Sequence, residues 1–179
     1  MRIRFIGLVF AALLLFIAPV YGQCSNKDDN APACQASIAK LKGLLSASNF
    51  EYHTTKSPTV FTVHYQGQHM PKIKVMLALG SDADADLVIF VTVVEKYRMP
   101  TDTDFRRLLL EYAHQVDSVK VAFDADGDLS LRIDASMRLA DASYLSARIA
   151  QLKNASDELY GKIEPQLLPA DHVDRNNSF

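Results

Sequence analysis

The chain has no tryptophan, seven glycines and two cysteines among 179 residues, and each scarcity narrows its chemistry. With so few glycines there is neither a Gly-x-Ser-x-Gly nucleophile turn nor a glycine-rich loop to cradle phosphate. No His-x-His or His-x-x-x-His pair occurs, so the tight spacing at which zinc ligands often converge is missing. Basic residues do not cluster, and 19 of them against 21 acids give a net charge of −2. Nucleic-acid binding needs grouped Lys and Arg to displace counterions from phosphate, so that class is set aside. The expectation is a protein that is not an enzyme and holds no cofactor or metal.

What is present begins with Arg2 and Arg4, followed by an apolar run from Phe5 to Ala18 broken only by Gly7. Val20-Tyr21-Gly22 then offers small residues to a signal peptidase, so residues 1–22 read as an export signal. The apolar run falls short of the roughly 20 residues that span a bilayer, which favours cleavage over an uncleaved anchor. Gln23 before Cys24 is too large for lipid attachment. The expected location is periplasmic or secreted, with no stable membrane anchor after cleavage. Removing residues 1–22 takes 22 from 179 and two arginines from 19 basic residues, leaving 157 residues, 17 basic against 21 acidic, and a net charge of −4. That is one domain of ordinary size.

Cys24 and Cys34 lie near the new N-terminus, and an oxidising compartment favours a disulfide between them, with free thiols the alternative. Residues 23–34 are polar and read as an extended leader, residues 35–165 as a single domain, and residues 166–179 as a flexible polar tail.

Within the domain, Ile38, Leu41, Leu44 and Leu45 fall on one face of a helix over Cys34 to Ser48. Phe50 to Thr54 and Thr59 to Tyr65, parted by Ser57-Pro58, read as strands. In Lys72 to Leu79, Ile73, Val75, Leu77 and Leu79 alternate with Lys72, Lys74, Met76 and Ala78. Leu87 to Val94 is apolar except for Thr92, which implies apolar contact on both faces, either as a central strand or as a contact surface. Thr101 and Asp104 form a capping pair for a helix carrying Phe105, Leu108, Leu109 and Tyr112 as far as His114. Val119 to Phe123 and Leu129 to Ile133 alternate around an acidic turn as a hairpin. Asp141 caps a last helix whose seam is Leu145, Ile149, Leu152, Leu159 and Ile163, with Ser156 its polar position. The fold class is α+β, a mainly antiparallel sheet flanked by helices in the order α-β-β-β-β-α-β-β-α.

The alternating acids Asp82, Asp84, Asp86 and Asp124, Asp126, Asp128 could suggest calcium. The sixth and twelfth loop positions, which need glycine and glutamate, hold Leu87 and Val93 or Leu129 and Ala135, so both sets read as hairpin turns. His53 and His64 could approach one another on paired strands, with His69 at the next turn, without making a zinc site.

Phe105-Arg-Arg-Leu-Leu-Leu, Val119 to Phe123, Asp126-Gly127-Asp128-Leu129-Ser130-Leu131-Arg132-Ile133-Asp134 and Leu145 to Tyr160 together resemble the YbjN family of bacterial sensory transduction regulators. That family is similar in fold to the chaperones of type III secretion, and the resemblance spans about residues 35–165. It implies a sheet that holds extended segments of other proteins or acts by contact, often as a homodimer. The function expected is an exported protein-binding module, chaperone-like or regulatory, whose partner is a protein or a second copy. The candidate interface is Val88 and Phe90 on the apolar strand with Leu145, Ile149, Leu152 and Leu159 on the last helix, although both sets also suit a core. The alternative function is a carrier holding a small apolar ligand or lipid between sheet and helices.

Overall fold

The computed structural model describes Cys24, residues 30–80 and residues 86–169. Residues 1–22, expected as an export signal, most of the expected leader, Asp82, Asp84 and the expected tail from residue 170 lie outside the described residues.

Helix α1 (Pro32–Ala47) starts two positions before the expected Cys34 because Pro32 sits in its first turn, where a missing N–H costs nothing and φ is preset. Strands β1 (Tyr52–Thr54), β2 (Val60–Tyr65), β3 (Ile73–Leu79) and β4 (Leu87–Val94) follow, then a short 3-10 turn (Lys96–Arg98) and helix α2 (Thr103–Gln115). Strands β5 (Lys120–Phe123) and β6 (Leu129–Ala135) precede the long helix α3 (Ala142–Ile163). The α+β class and the order of elements hold as read from the sequence.

All strands join one antiparallel sheet in the order β1-β2-β3-β4-β6-β5. The second hairpin enters with β6 against β4, leaving four-residue β5 at the edge. This places β4 centrally, with Met76 and Leu77 of β3 on one side and Arg132 and Ile133 of β6 on the other.

One sheet face is the core. Phe61, Val75, Leu77, Leu87, Ile89, Val91, Leu129 and Leu131 are fully buried there, and α3 lies across β3, β4 and β6. The four α3 residues expected at an interface are spent in this packing. Leu145, Leu152 and Leu159 are 0% exposed and Ile149 1%, because the seam that binds a partner and the seam that binds one's own sheet are the same apolar stripe. Each fully buried leucine contributes roughly 1.5–3 kcal/mol, which the core takes up.

The cap of α2 also differs. Asp102, not Thr101, is the N-cap, and its carboxylate accepts from the Phe105 N–H at 2.8 Å. Thr101 with Asp104 has the spacing of a capping box, but Asp102 reaches the free N–H from one position nearer the helix. Asp141 caps α3 as expected, accepting from Tyr144 N–H.

Candidate protein-binding face

Alternation along the strands sends every second side chain away from the helices. Register lines up a row on this outer face: His53 on β1, Thr62, Met76, Phe90, Arg132 and Lys120 on β5. Beside it Ala78, Val88 and Asp134 form a second row, and Thr92, Ser130 and Ala122 a third. Val88 and Phe90 are half-buried, while Leu87, Ile89 and Val91 between them are closed off beneath the helices. The two strand residues singled out from sequence therefore share the outer face, and the four helix residues do not join them.

The chemistry of this face is an apolar middle with a cationic rim. Met76, Phe90 and Val88 occupy the middle, and Lys74 and Lys120 are exposed around it. On the β5–β6 side Lys120 and Arg132 both donate to Asp134 and offset its charge. Partial burial disfavours the Asp134 charge, but those two donors and their charges outweigh it and hold the carboxyl below the usual carboxylate range.

Two of the concave features on this face adjoin β4. A small groove of about 210 Å³ is lined by Val88, Phe90, Ala122, Phe123, Ser130 and Arg132. The Ser130 hydroxyl at its base is buried and has no hydrogen-bond partner among the described residues, while Phe123 at its lip is 58% exposed. A larger cleft of about 540 Å³ opens between the ends of β3 and β4, bounded by Lys72, Lys74, Met76, Thr92 and Val94 with Tyr160 of α3 among its walls.

The other residues weighed as chemical candidates have structural partners. His53 and His64 do approach, with ring centroids 5.3 Å apart, but His69 packs at Gly161 on α3 and does not join them. Asp124 accepts from the N–H groups of Asp126 and Asp128 and closes the β5–β6 turn, where Gly127 has φ +87°. Asp128 accepts from Lys96 N–H, and Asp86 accepts from Met137 N–H. Among the described residues no group of three His, Cys, Asp or Glu side chains could hold a metal. Cys24 and Cys34 form a disulfide with Cα atoms 4.7 Å apart, and both are buried against α1 and the core.

The sheet order and the flanking helices define a type III secretion chaperone-like α+β fold. A solved neighbour with that fold is a chain of the ExsC–ExsE complex, which superposes at a TM-score of 0.51 with 15% identity over 72% of this chain and 93% of its own. No protein-family model matches the chain, and no curated protein matches it. The YbjN resemblance therefore stands without a family match, and what holds is the coarser chaperone-like fold. At 15% identity that likeness is one of architecture alone.

Proposed function

We propose that the chain is an exported, non-enzymatic protein-binding module of the bacterial envelope, chaperone-like or regulatory, that holds its partner on the outer face of the sheet. The observation that carries this is the outer face itself, where Phe90 and Val88 stand between Met76 and Arg132 with no helix over them among the described residues. A half-buried aromatic in an apolar patch rimmed by charge is the composition of a recognition surface. The neighbouring fold was solved in a complex of two proteins, which supports a protein as the ligand class. Val88 and Phe90 are the proposed contact residues.

Export is supported by the disulfide, which suits an oxidising compartment, and by the N-terminal signal pattern. No helix among the described residues is long and apolar enough to cross a membrane. The carrier reading placed its cavity between sheet and helices, where Phe61, Leu77, Ile89, Leu131 and Leu145 are instead fully buried against one another.

The test is a photo-activatable residue at position 88, in cells exporting the full chain, with Phe90→Asp as the paired variant. A discrete protein adduct that disappears in the folded Phe90→Asp protein is the expected result. Adducts that persist unchanged in that variant would remove the outer face as the binding surface. A band at twice the chain mass would identify the partner as a second copy.

A further inference from the structure

The centre of the sheet is forked. β3 runs from Ile73 to Leu79 and β4 from Leu87 to Val94, yet their pairing covers only Met76 to Leu79 against Phe90 to Leu87. Continuing the register would set Lys74 opposite Thr92 and Lys72 opposite Val94, but no ladder forms there. The cause is on the other side of β4. Its register with β6 shifts between Thr92 and Val94, so two β4 residues oppose one step of β6, and such a bulge bends the strand that carries it. β4 follows β6 and leaves β3. β2 and β6 pair the far sides of Ile73–Val75 and Val91–Val94, but on the sides that face each other their main-chain groups have no ladder partner among the described residues, and backbone N–H and C=O groups left so seek a partner or water.

The 540 Å³ cleft occupies this fork. Its lining holds three cations and two acids. Lys72 and Lys74 are exposed and have no carboxylate partner among the described residues. The same lining holds two acids, Glu95 accepting from the Tyr97 hydroxyl and Asp128 from Lys96 N–H, neutral donors that leave both carboxylate charges in place. Arg98 adds a third cation. On the far side of the two lysines lies another groove, lined by His64, Tyr65, Gln66 and Ile73 without any acid. A chain whose overall charge is negative thus shows a positive strip along its sheet opening.

We infer that the fork receives an extended acidic polypeptide segment of the partner, its main chain bonding the free strand edges and its carboxylates meeting Lys72, Lys74 and Arg98. This rests on the outer-face reading above and adds where on that face, and by what chemistry, the partner is chosen. Main-chain pairing supplies affinity without sequence preference, and side chains pointing to alternate sides supply the choice. The lysine pair then rejects basic segments by like charge as much as it attracts acidic ones.

The experiment selects binders from a displayed library of random dodecapeptides on the full chain and on the Lys72→Glu, Lys74→Glu double variant, with unchanged circular dichroism and melting as the control for folding. The wild type should enrich Asp and Glu, and the double variant should enrich Lys and Arg, with a selected acidic peptide bound roughly tenfold more weakly by the variant. N-methylation of alternate amides in that peptide should remove binding, since its side chains are kept and its donors lost. A pool without acidic bias, a pool unchanged in the double variant, or equal competition by an oligothymidylate would overturn the inference. Phe90→Asp separates this from the broader reading. If crosslinks from position 88 vanish in Phe90→Asp but survive Lys72→Glu, Lys74→Glu, the fork is not the site and the outer face stands; if Phe90→Asp leaves them, the outer face itself falls.

Discussion

The Asp157 carboxylate on α3 accepts a hydrogen bond from the His69 N–H at 2.9 Å, tying two residues 88 positions apart. The same carboxylate accepts from Gln68 N–H at 2.9 Å and from Met70 N–H at 2.8 Å, bracing a β2–β3 turn that Gly67 N–H also closes onto the Met70 carbonyl at 3.0 Å. Two glycines let the turn come this close. A Cβ on Gly67 would collide with the Asp157 carboxylate, and one on Gly161 would lie 2.6 Å from the His69 ring.

Desolvation raises the Asp157 pKa, but the three N–H donors and the His69 charge outweigh it and hold the carboxyl below its ordinary value. A carboxyl depressed in the folded state stabilises the protein above the unfolded pKa of about 3.9, and that contribution fades as the pH falls through this value towards the folded one. Asp157→Ala should cost about 1–2 kcal/mol at pH 7, limited by water reaching the exposed donors. The gap between wild type and Asp157→Asn in urea unfolding should be widest near neutrality and close progressively below about pH 4. A gap independent of pH would show that the charge of Asp157 does not hold the turn.

Much of this fold was legible because strand alternation and helix spacing are local signals. Phe61, Val63 and Tyr65, or Leu129, Leu131 and Ile133, announce their face without knowing their neighbours. Asp157 could not be read that way. In sequence it is one more polar residue on an amphipathic helix, and its partners are N–H groups that any residue carries. The fork was hidden for the same reason, since a bulge at Val93 depends on how β6 registers against β4. Val88 and Phe90 fall on the outer face and the four α3 residues in the core, because an apolar run on a central strand faces two ways while the α3 seam faces one. Nothing local distinguishes a stripe that meets its own sheet from a stripe that meets a partner.

Phe90 and Leu152 should separate surface from core under the same substitution. Phe90→Asp loses half-buried contacts with Met76 and places an acid beside Arg132, its β6 partner, so its cost should be about 1 kcal/mol or less. Leu152→Asp puts a carboxyl at a site with no solvent exposure, beneath β4, and should cost on the order of 4 kcal/mol or more. Thermal melts of the two proteins should therefore show one near wild type and one largely unfolded at 37 °C. Similar losses in both would mean that Phe90 is part of the core.

The disulfide closes a loop of sequence separation 10 and holds Cys24 against the start of α1. Restricting an unfolded loop of that size is worth about 2–3 kcal/mol on chain-entropy grounds. Replacing both cysteines by serine, or adding reductant, should lower the midpoint of urea unfolding by a corresponding amount without changing binding at the outer face. Binding lost together with the disulfide would instead assign the leader a part in partner contact.

Ser156 and Ser130 share one property, a buried hydroxyl without a partner, and should differ in what its removal does. Ser156 is fully buried in the α3 seam, where an unpaired hydroxyl is a cost and alanine is the better helix former. Ser156→Ala should raise stability by about 1 kcal/mol and leave binding unchanged. Ser130 is one of the residues around the small groove beside Phe90 and Arg132, with its hydroxyl closed off from solvent. Ser130→Ala should hold or slightly raise the melting temperature while weakening the crosslink from position 88, because a partner side chain that opens the small groove reaches the hydroxyl that is closed off in the free chain. If both substitutions stabilise and neither touches binding, Ser130 is an ordinary defect of the sheet and the small groove is not used.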